Sequence, residues 1–173
     1  MKNKAFAADG IHIRLPRRPG ARPATTGQTP HVQLDQNSPA VVQEQLWQRM
    51  TGLAGVRPGS SVFSPYSRAL HLDGGRGPDT AFAPDGIGTE FAHLHNRREG
   101  SLHLFLPEPD ARYVIEQGWG EFHPVVTMGM YPPTLIMVYG PRDAADLDIV
   151  FGIVEASYRY ARGDIDAPPV PVP

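Results

Sequence analysis

The sequence predicts an α+β domain with a mainly antiparallel sheet, a histidine-bearing hairpin, and helices packed on one face of the sheet. Two alternating runs flank a short polar turn within residues 89–106, which is the pattern of a β-hairpin. Apolar residues recur at helical spacing both before and after this hairpin. The 18 glycines and 19 prolines among 173 residues favour turns and loops and disfavour a large helical bundle.

The amino-acid composition excludes several classes of function. Hydrophobic residues account for 40% of the chain and charged residues for 20%, enough to build a core. Because the net charge is -2, we expect no nucleic-acid partner. The absence of cysteine excludes disulfides, thiolate metal sites and cysteine nucleophiles. Residues 1–10 lack a secretory signal and no run could span a bilayer, so we expect a cytoplasmic protein without a membrane partner; the oligomeric state stays open.

The chain divides into three parts by composition. Residues 1–37 are rich in proline and charge and form an extended arm, residues 38–163 form the domain, and residues 164–173 form a proline-rich tail. The arm is either a flexible leader or an ordered strap that presents Arg18 and Arg22 to an anion. Composition alone favours the leader.

The domain opens with a helix, because Ser38 can cap it and Pro39 suits its first position. Gly52 or Gly55 provides a left-handed exit. Its buried stripe is formed by Val42, Leu46, Trp47, Met50 and Leu53.

Two short strands follow between Gly55 and Gly88. They correspond to the sequences SVFS, at residues 61–64, and RALHLD, at residues 68–73. A glycine-rich turn ends the second strand.

The hairpin comes next, with its loop at residues 96–100. Closing this loop pairs His93 with His103 and Phe91 with Phe105, all on one face. The other face is aliphatic and is formed by Ala92, Leu94, Leu102 and Leu104.

The remaining elements are a helix, a strand and a helix. The second helix begins around residues 108–110 and ends at Gly118, and residues 119–124 are expected to form a loop. The strand covers residues 134–139. Asp143 can cap the last helix, whose buried stripe is Leu147, Val150, Phe151, Val154, Tyr158 and Ala161.

Three histidines are the strongest chemical feature. His93, His95 and His103 share one sheet face, where imidazoles can ligate a metal, move protons or bind an oxyanion. His93 and His95 followed by Glu99 also reproduce the HxHxxxE spacing of the first cupin motif, but no second motif follows. The alternatives are a divalent Fe, Zn or Cu on these three residues, a metal-free proton-relay pocket, and a half-solvated face without function.

Other candidates depend on folding. Glu90 has the wrong parity for the histidine face unless a β-bulge intervenes. His123 lies in a loop that can reach the site or stay apart from it, and Trp119 can plug the core or wall a pocket. His12 and His31 lie in the arm and are expected to be bystanders. The chain has no nucleophile elbow, phosphate loop or dinucleotide fingerprint.

Several blocks, in one order, resemble the luciferase domain of bioluminescent fungi and its bacterial relatives. The segment LPRRPGARP, at residues 15–23, resembles that family's upstream LPxRxGxRP, which makes an ordered arm more plausible. The other blocks are EFAHLH at 90–95, SLHL around His103, GWG at 118–120 with the following HP, YGPR at 139–142, and IVEAS at 153–157.

The resemblance implies oxygen chemistry without an organic cofactor. Fungal members oxidise a hydroxylated pyrone with O₂, releasing carbon dioxide and light. Two departures are the lack of an N-terminal apolar segment and the presence of Arg98 where the fungal loop has a histidine. Carried onto this chain, the catalytic candidates are His93, His95, His103 and His123. We expect the substrate to be bound by Glu90, Phe91, Phe105, Trp119 and Arg22.

The function that follows is the O₂-dependent oxidation of an enolic or hydroxylated aromatic metabolite in a histidine-rich pocket, with that small molecule and O₂ as partners. A first alternative is a histidine-ligated metal hydrolase or lyase. A second alternative is a non-catalytic module that binds a small ligand or a metal.

Overall fold

The computed structural model describes residues 10–165, so residues 1–9 of the predicted arm and residues 166–173 of the predicted tail at 164–173 lie outside the described residues. Four helices and six strands are assigned in this part of the chain. In order they are α1 (Ala40–Thr51), β1 (Arg57–Ser60), β2 (Arg68–Arg76), β3 (Gly88–Leu94), β4 (Leu102–Phe105), α2 (Glu108–Glu116), β5 (Gly120–Phe122), α3 (Pro124–Thr127), β6 (Leu135–Val138) and α4 (Ala144–Ala161).

The six strands form one sheet in the order β1-β2-β3-β4-β6-β5, with every neighbouring pair antiparallel. The predicted α+β class with a mainly antiparallel sheet is therefore confirmed. Strands β3 and β4 are the predicted hairpin, and His93 lies directly opposite His103. The His95 N–H donates to the Ser101 carbonyl at 2.9 Å, which closes the hairpin in the expected register.

The main core lies on the aliphatic face of the sheet. Leu94, Leu102 and Leu104 are fully buried there, together with apolar side chains of α1, α2 and α4. Helix α4 begins as expected, since the Asp143 side chain accepts the Asp146 N–H at 2.9 Å. The face with the histidines is thereby left free of this core.

A β-bulge corrects the predicted position of Phe91. Leu70 pairs with Ala92, but the next residue of β2, His71, pairs with Glu90, so Phe91 has no partner on β2. The extra residue reverses the alternation, and Phe91 packs in the main core, with its ring 6.2 Å from that of Tyr158. The predicted placement of Phe91 on the histidine face is wrong, while the bulge that Glu90 required is present.

Two predicted strand and loop positions also differ. Strand β1 lies at Arg57–Ser60, before the SVFS segment, and all its residues are exposed, which explains why it has no apolar alternation. Residues 120–122 form the edge strand β5 and not a loop. A strand of this length leaves almost no periodic signal in a sequence.

The first helix begins one residue later than its capping signal. Pro39 is its N-cap, and the Ser38 hydroxyl is buried without a hydrogen-bond partner among the described residues. The predicted serine cap is therefore wrong. Gly52 ends the helix in a right-handed conformation, and the left-handed turn comes at Gly55, with φ of 77°.

The described part of the arm runs along the domain. The Trp119 indole donates to the Pro16 carbonyl at 2.7 Å, and the Gly140 N–H donates to Gln33 Oε1 at 2.9 Å. Arg22 donates to the carbonyls of Gly120 and Ile115, so its guanidinium is held by backbone. These contacts bring residues 24–36 to the histidine-bearing side of the sheet.

Candidate metal centre

Three buried imidazoles meet at the centre of the hairpin face. The exposed fractions of His93, His95 and His103 are 1%, 4% and 4%, so a half-solvated histidine face is ruled out. His93 Nε2 lies 3.1 Å from His103 Nδ1, and His95 Nε2 lies 3.1 Å from the same atom. Three ring nitrogens therefore converge on one point.

A carboxylate stands behind each of the two β3 histidines. His93 Nδ1 lies 2.7 Å from Glu90 Oε1, and His95 Nδ1 is hydrogen-bonded to Glu99. The bulge places Glu90 in this position, and the hairpin loop supplies Glu99. Ionised carboxylates only accept hydrogen bonds, so both rings carry their proton on Nδ1 and present an Nε2 lone pair to His103.

Hydrogen bonds from other groups fix both carboxylates. Glu90 also accepts from the Ser61 hydroxyl and from the Val62 N–H, each at 2.7 Å. Glu99 accepts from the Ser101 N–H at 3.0 Å. Burial alone would raise the pKa of Glu99, but the bonds from His95 and Ser101 keep it below its ordinary value.

His31 of the arm reaches this cluster, so the expectation that it is a bystander is wrong. Its Nδ1 lies 3.1 Å from His103 Nε2, and the two rings stack with centroids 5.2 Å apart. His12 pairs instead with Asp110, at 2.8 Å. Local composition could not separate these two arm histidines. The only sequence signal that favoured an ordered arm was the block at residues 15–23.

His123 also comes to the cluster, because β5 and the first turn of α3 carry it there. Its ring centroid lies 4.4 Å from that of His103 and 5.0 Å from that of His31. Its Nδ1 accepts the Val125 N–H at 3.2 Å. A neutral His123 therefore carries its proton on Nε2 and acts there as a hydrogen-bond donor.

Burial sets the protonation of the cluster. Desolvation lowers the pKa of His93 despite the adjacent Glu90, and it lowers the pKa of His103 well below the ordinary 6.5, with neighbouring histidines adding to the effect. It lowers the pKa of His123 to about 3. His93, His103 and His123 are thus held in the neutral form that ligates metals.

The remaining predicted site residues divide between the site and the core. Phe105 is buried beside Phe82, with ring centroids 4.9 Å apart, and Phe82 itself stacks on His93 at 4.9 Å. Trp119 is 2% exposed within the main core, which is the alternative that the sequence left open for it. Arg22 and Phe91 also lie away from the converging nitrogens, at the backbone contacts and in the core described above.

Two aromatic side chains that sequence reasoning missed, those of Phe63 and Phe82, lie with Tyr131 between the cluster and solvent. The Phe63 ring is 4.9 Å from that of Phe82 and 5.9 Å from that of Tyr131, and Phe63 is 43% exposed. Phe63 belongs to the loop that Ser61 and Val62 tie to Glu90. The aromatics come together only in the fold, since they lie far apart along the chain.

The geometry of the first three histidines suits a metal ion. Zinc–nitrogen bonds of about 2.0–2.1 Å separate two ligand nitrogens by about 3.3 Å at a tetrahedral angle, close to the 3.1 Å found here. Carboxylates that accept the outer N–H are the usual partners of metal-bound histidines. His93, His95 and His103 could hold a metal, and so could the second group of His31, His103 and His123. The first group fits better, because the neutral His123 offers a proton and not a lone pair at Nε2.

A separate cavity of about 500 Å³ lies between residues 12–15 of the arm and helix α4. None of the clustered histidines lines it, so it is not the site of the chemistry described here. In the part of the chain that the structure describes, no helix is long and apolar enough to cross a membrane.

The lowered pKa values predict an acid-dependent loss of stability. Unfolded imidazoles titrate near ~6.5, whereas His123 does so at about 3 in the folded protein. As the pH falls between these values, the unfolded chain takes up a proton that the folded chain does not, so the free energy of unfolding falls. Urea unfolding of metal-stripped protein at several pH values in this range gives the slope of the free energy of unfolding against pH. In His123→Asn this slope should be smaller than in the wild type by the equivalent of about one proton. Equal slopes for the variant and the wild type would contradict the pKa assignment.

The comparisons with known proteins agree with the blocks between residues 90 and 157, while the block at residues 15–23 lies outside the segment that the family match covers. Residues 88–157 match the family described as Luciferase domain. Proteins named luciferase from Armillaria gallica, Armillaria mellea and Neonothopanus nambi are each 39% identical over 77 residues, which is 43% of this chain. The match spans only 29% of the length of each of these relatives. No solved structure matches the chain.

Proposed function

We propose, on the premise that residues 88–157 are a luciferase-type domain, that the protein catalyses the O₂-dependent oxidation of an enolic or hydroxylated aromatic metabolite. The proposed site is a metal centre held by His93, His95 and His103. The observation that carries the proposal is the convergence of their three ring nitrogens, with buried carboxylates behind His93 and His95.

The charges of the site favour a cation. Desolvation favours the neutral form of His93, His103 and His123. The buried Glu99 carboxyl is kept ionised by its hydrogen bonds, and Glu90 is a second buried carboxyl group behind the cluster. The hydrogen-bond partners of both are hydroxyl, amide and imidazole groups. Buried charges of one sign are costly unless they are paired or coordinate a metal. A divalent ion would offset this charge and supply a Lewis acid and an electron-transfer centre for oxygen.

The protein residues around the centre have roles that do not depend on which metal is bound. Glu90 and Glu99 hold His93 and His95 in the tautomer that presents Nε2. The Nε2 proton of His123 is suited to hydrogen-bond an oxygen of the substrate as negative charge develops on it. Phe63, Phe82 and Tyr131 form the aromatic side of the cluster, which is compatible with a flat substrate.

The test is elemental analysis of the purified, tag-free protein beside the His93→Ala/His103→Ala double variant, together with oxygen uptake on enolic and hydroxylated aromatic compounds. We expect stoichiometric iron or copper in the wild type, none in the double variant, and oxygen uptake only in the wild type. Circular dichroism of both proteins controls for folding.

Other outcomes contradict parts of the proposal. Zinc with turnover that needs no oxygen would indicate a hydrolase or lyase. No metal in either protein, with the fold intact and oxygen uptake retained by the wild type, would indicate a metal-free histidine pocket. Metal binding with no turnover of any candidate would indicate a binding module.

A further inference from the structure

The N-terminal arm contributes a side chain behind the third histidine of the cluster. His31 lies outside the segment that matches the luciferase domain, and it is 3% exposed. Its Nδ1 faces His103 Nε2 at 3.1 Å, on the side of the His103 ring opposite to His93 and His95. His103 thus has a partner where the other two histidines have carboxylates.

Glu121 determines which nitrogen of His31 carries the proton. His31 Nε2 lies 2.7 Å from Glu121 Oε1, and the same carboxyl group accepts from Thr25 Oγ1 at 2.7 Å and from the Tyr139 hydroxyl at 2.9 Å. These bonds outweigh the effect of burial and lower the pKa of Glu121. An ionised Glu121 requires an N–H on His31 Nε2, which leaves a lone pair on His31 Nδ1.

This lone pair in turn orients the proton of His103. A neutral His103 that donates from Nε2 to His31 carries its own lone pair on Nδ1. That atom is the one that faces the lone pairs of His93 and His95. With a metal bound, the N–H that each ligand points away from the metal has an acceptor, and the lone pair that each points inward binds the metal. Without a metal, these three lone pairs face one another, with His103 Nδ1 3.1 Å from the Nε2 atoms of His93 and His95.

We propose that His31 is a positioning residue for the metal centre, and that metal binding is coupled to docking of residues 24–36 on the domain. This inference rests on the metal centre proposed above and adds the arm to it. His31 can orient His103 only when the arm is docked, so the metal binds more tightly to the docked form. By linkage, the bound metal then raises the equilibrium constant for docking by the same factor by which docking raises the metal affinity.

The first test compares two nearly isosteric substitutions that differ in one property. His31→Asn retains a hydrogen-bond acceptor near the position of Nδ1, whereas His31→Leu has none. Titration of metal-stripped full-length protein with Co²⁺ should show affinity reduced about 10–100-fold in His31→Leu and largely restored in His31→Asn. His12→Leu, which alters the other arm histidine, should bind Co²⁺ like the wild type.

The second test needs no substitution. Backbone hydrogen exchange of residues 24–34 in the wild type should slow by the same factor of about 10–100 when Co²⁺ is added. The effect should disappear in His95→Ala, which removes a ligand and leaves the arm contacts in place. This measurement keeps the proposal testable if His31→Leu does not fold.

Each remaining outcome counts against the coupling. Unchanged Co²⁺ affinity in His31→Leu, or exchange in the arm that ignores the metal, overturns the role of His31 and leaves the metal centre standing. A loss of binding in His31→Leu as complete as in His95→Ala makes His31 a direct ligand and also overturns it. Absence of Co²⁺ binding by the wild type overturns both this inference and the metal centre.

Discussion

His93→Ala is expected to abolish metal binding and oxygen uptake while the protein still folds. Losing an outer partner of a metal-bound histidine costs about 10–100-fold in affinity, and removing a ligand should cost more. The His93 side chain lies on the face opposite the aliphatic core, and Glu90 keeps its bonds from Ser61 and Val62. Metal titration, oxygen uptake and urea unfolding of the variant would measure the three effects.

His71→Ala is the matched control for this prediction. His71 is also a buried histidine of the same sheet, 7% exposed, and it contacts the Thr89 hydroxyl and the Ser60 carbonyl outside the cluster. We expect it to retain metal binding. If His93→Ala binds metal and consumes oxygen like the wild type, His93 is not a ligand of the centre. If it unfolds while His71→Ala does not, His93 is a structural residue.

Leu104→Ala is expected to cost about 2–5 kcal/mol in the free energy of unfolding. Leu104 is fully buried on β4, a central strand, and its side chain belongs to the main core. Its loss leaves a cavity between the sheet and the helices, because a rigid core closes around a missing group only in part. Urea unfolding measures the change, and metal affinity of the folded variant should be close to that of the wild type.

The same substitution at an exposed leucine isolates the effect of burial. Leu34 is 56% exposed in the arm, and Leu34→Ala should change the stability by no more than about 0.5 kcal/mol. A cost below about 1 kcal/mol for Leu104→Ala would contradict the assignment of the aliphatic face as the core.

Local sequence patterns determined most of the hairpin and its register. Two alternating runs and a short loop leave few ways to pair β3 with β4, so the contact between His93 and His103 followed from the residues alone. The capping aspartate and apolar stripe likewise placed helix α4. These features depend on neighbours within a few residues, which a sequence contains directly.

The sequence-based predictions that proved wrong concern positions whose structure is decided by distant parts of the chain. The position of Phe91 depends on a shift in pairing with β2, and the location of His31 depends on where the arm docks. Strands β1 and β5 are exposed or short, so hydrogen bonding to neighbouring strands defines them and not periodicity. Such information becomes available only when the tertiary contacts are known.

All the candidate metal ligands lie in one short segment of the chain, which matters for protein engineering and for the evolution of the site. Residues 90–105 supply all three candidate ligands together with the two carboxylates behind the first pair. A single contiguous cassette of this kind can be grafted onto the edge of another antiparallel sheet, or inherited as a unit, without rebuilding a whole protein. A recipient scaffold would have to supply the contacts from outside the cassette. These are the bulge against the neighbouring strand, the donors of Ser61 and Val62 that hold Glu90, and the ring of His31 behind His103.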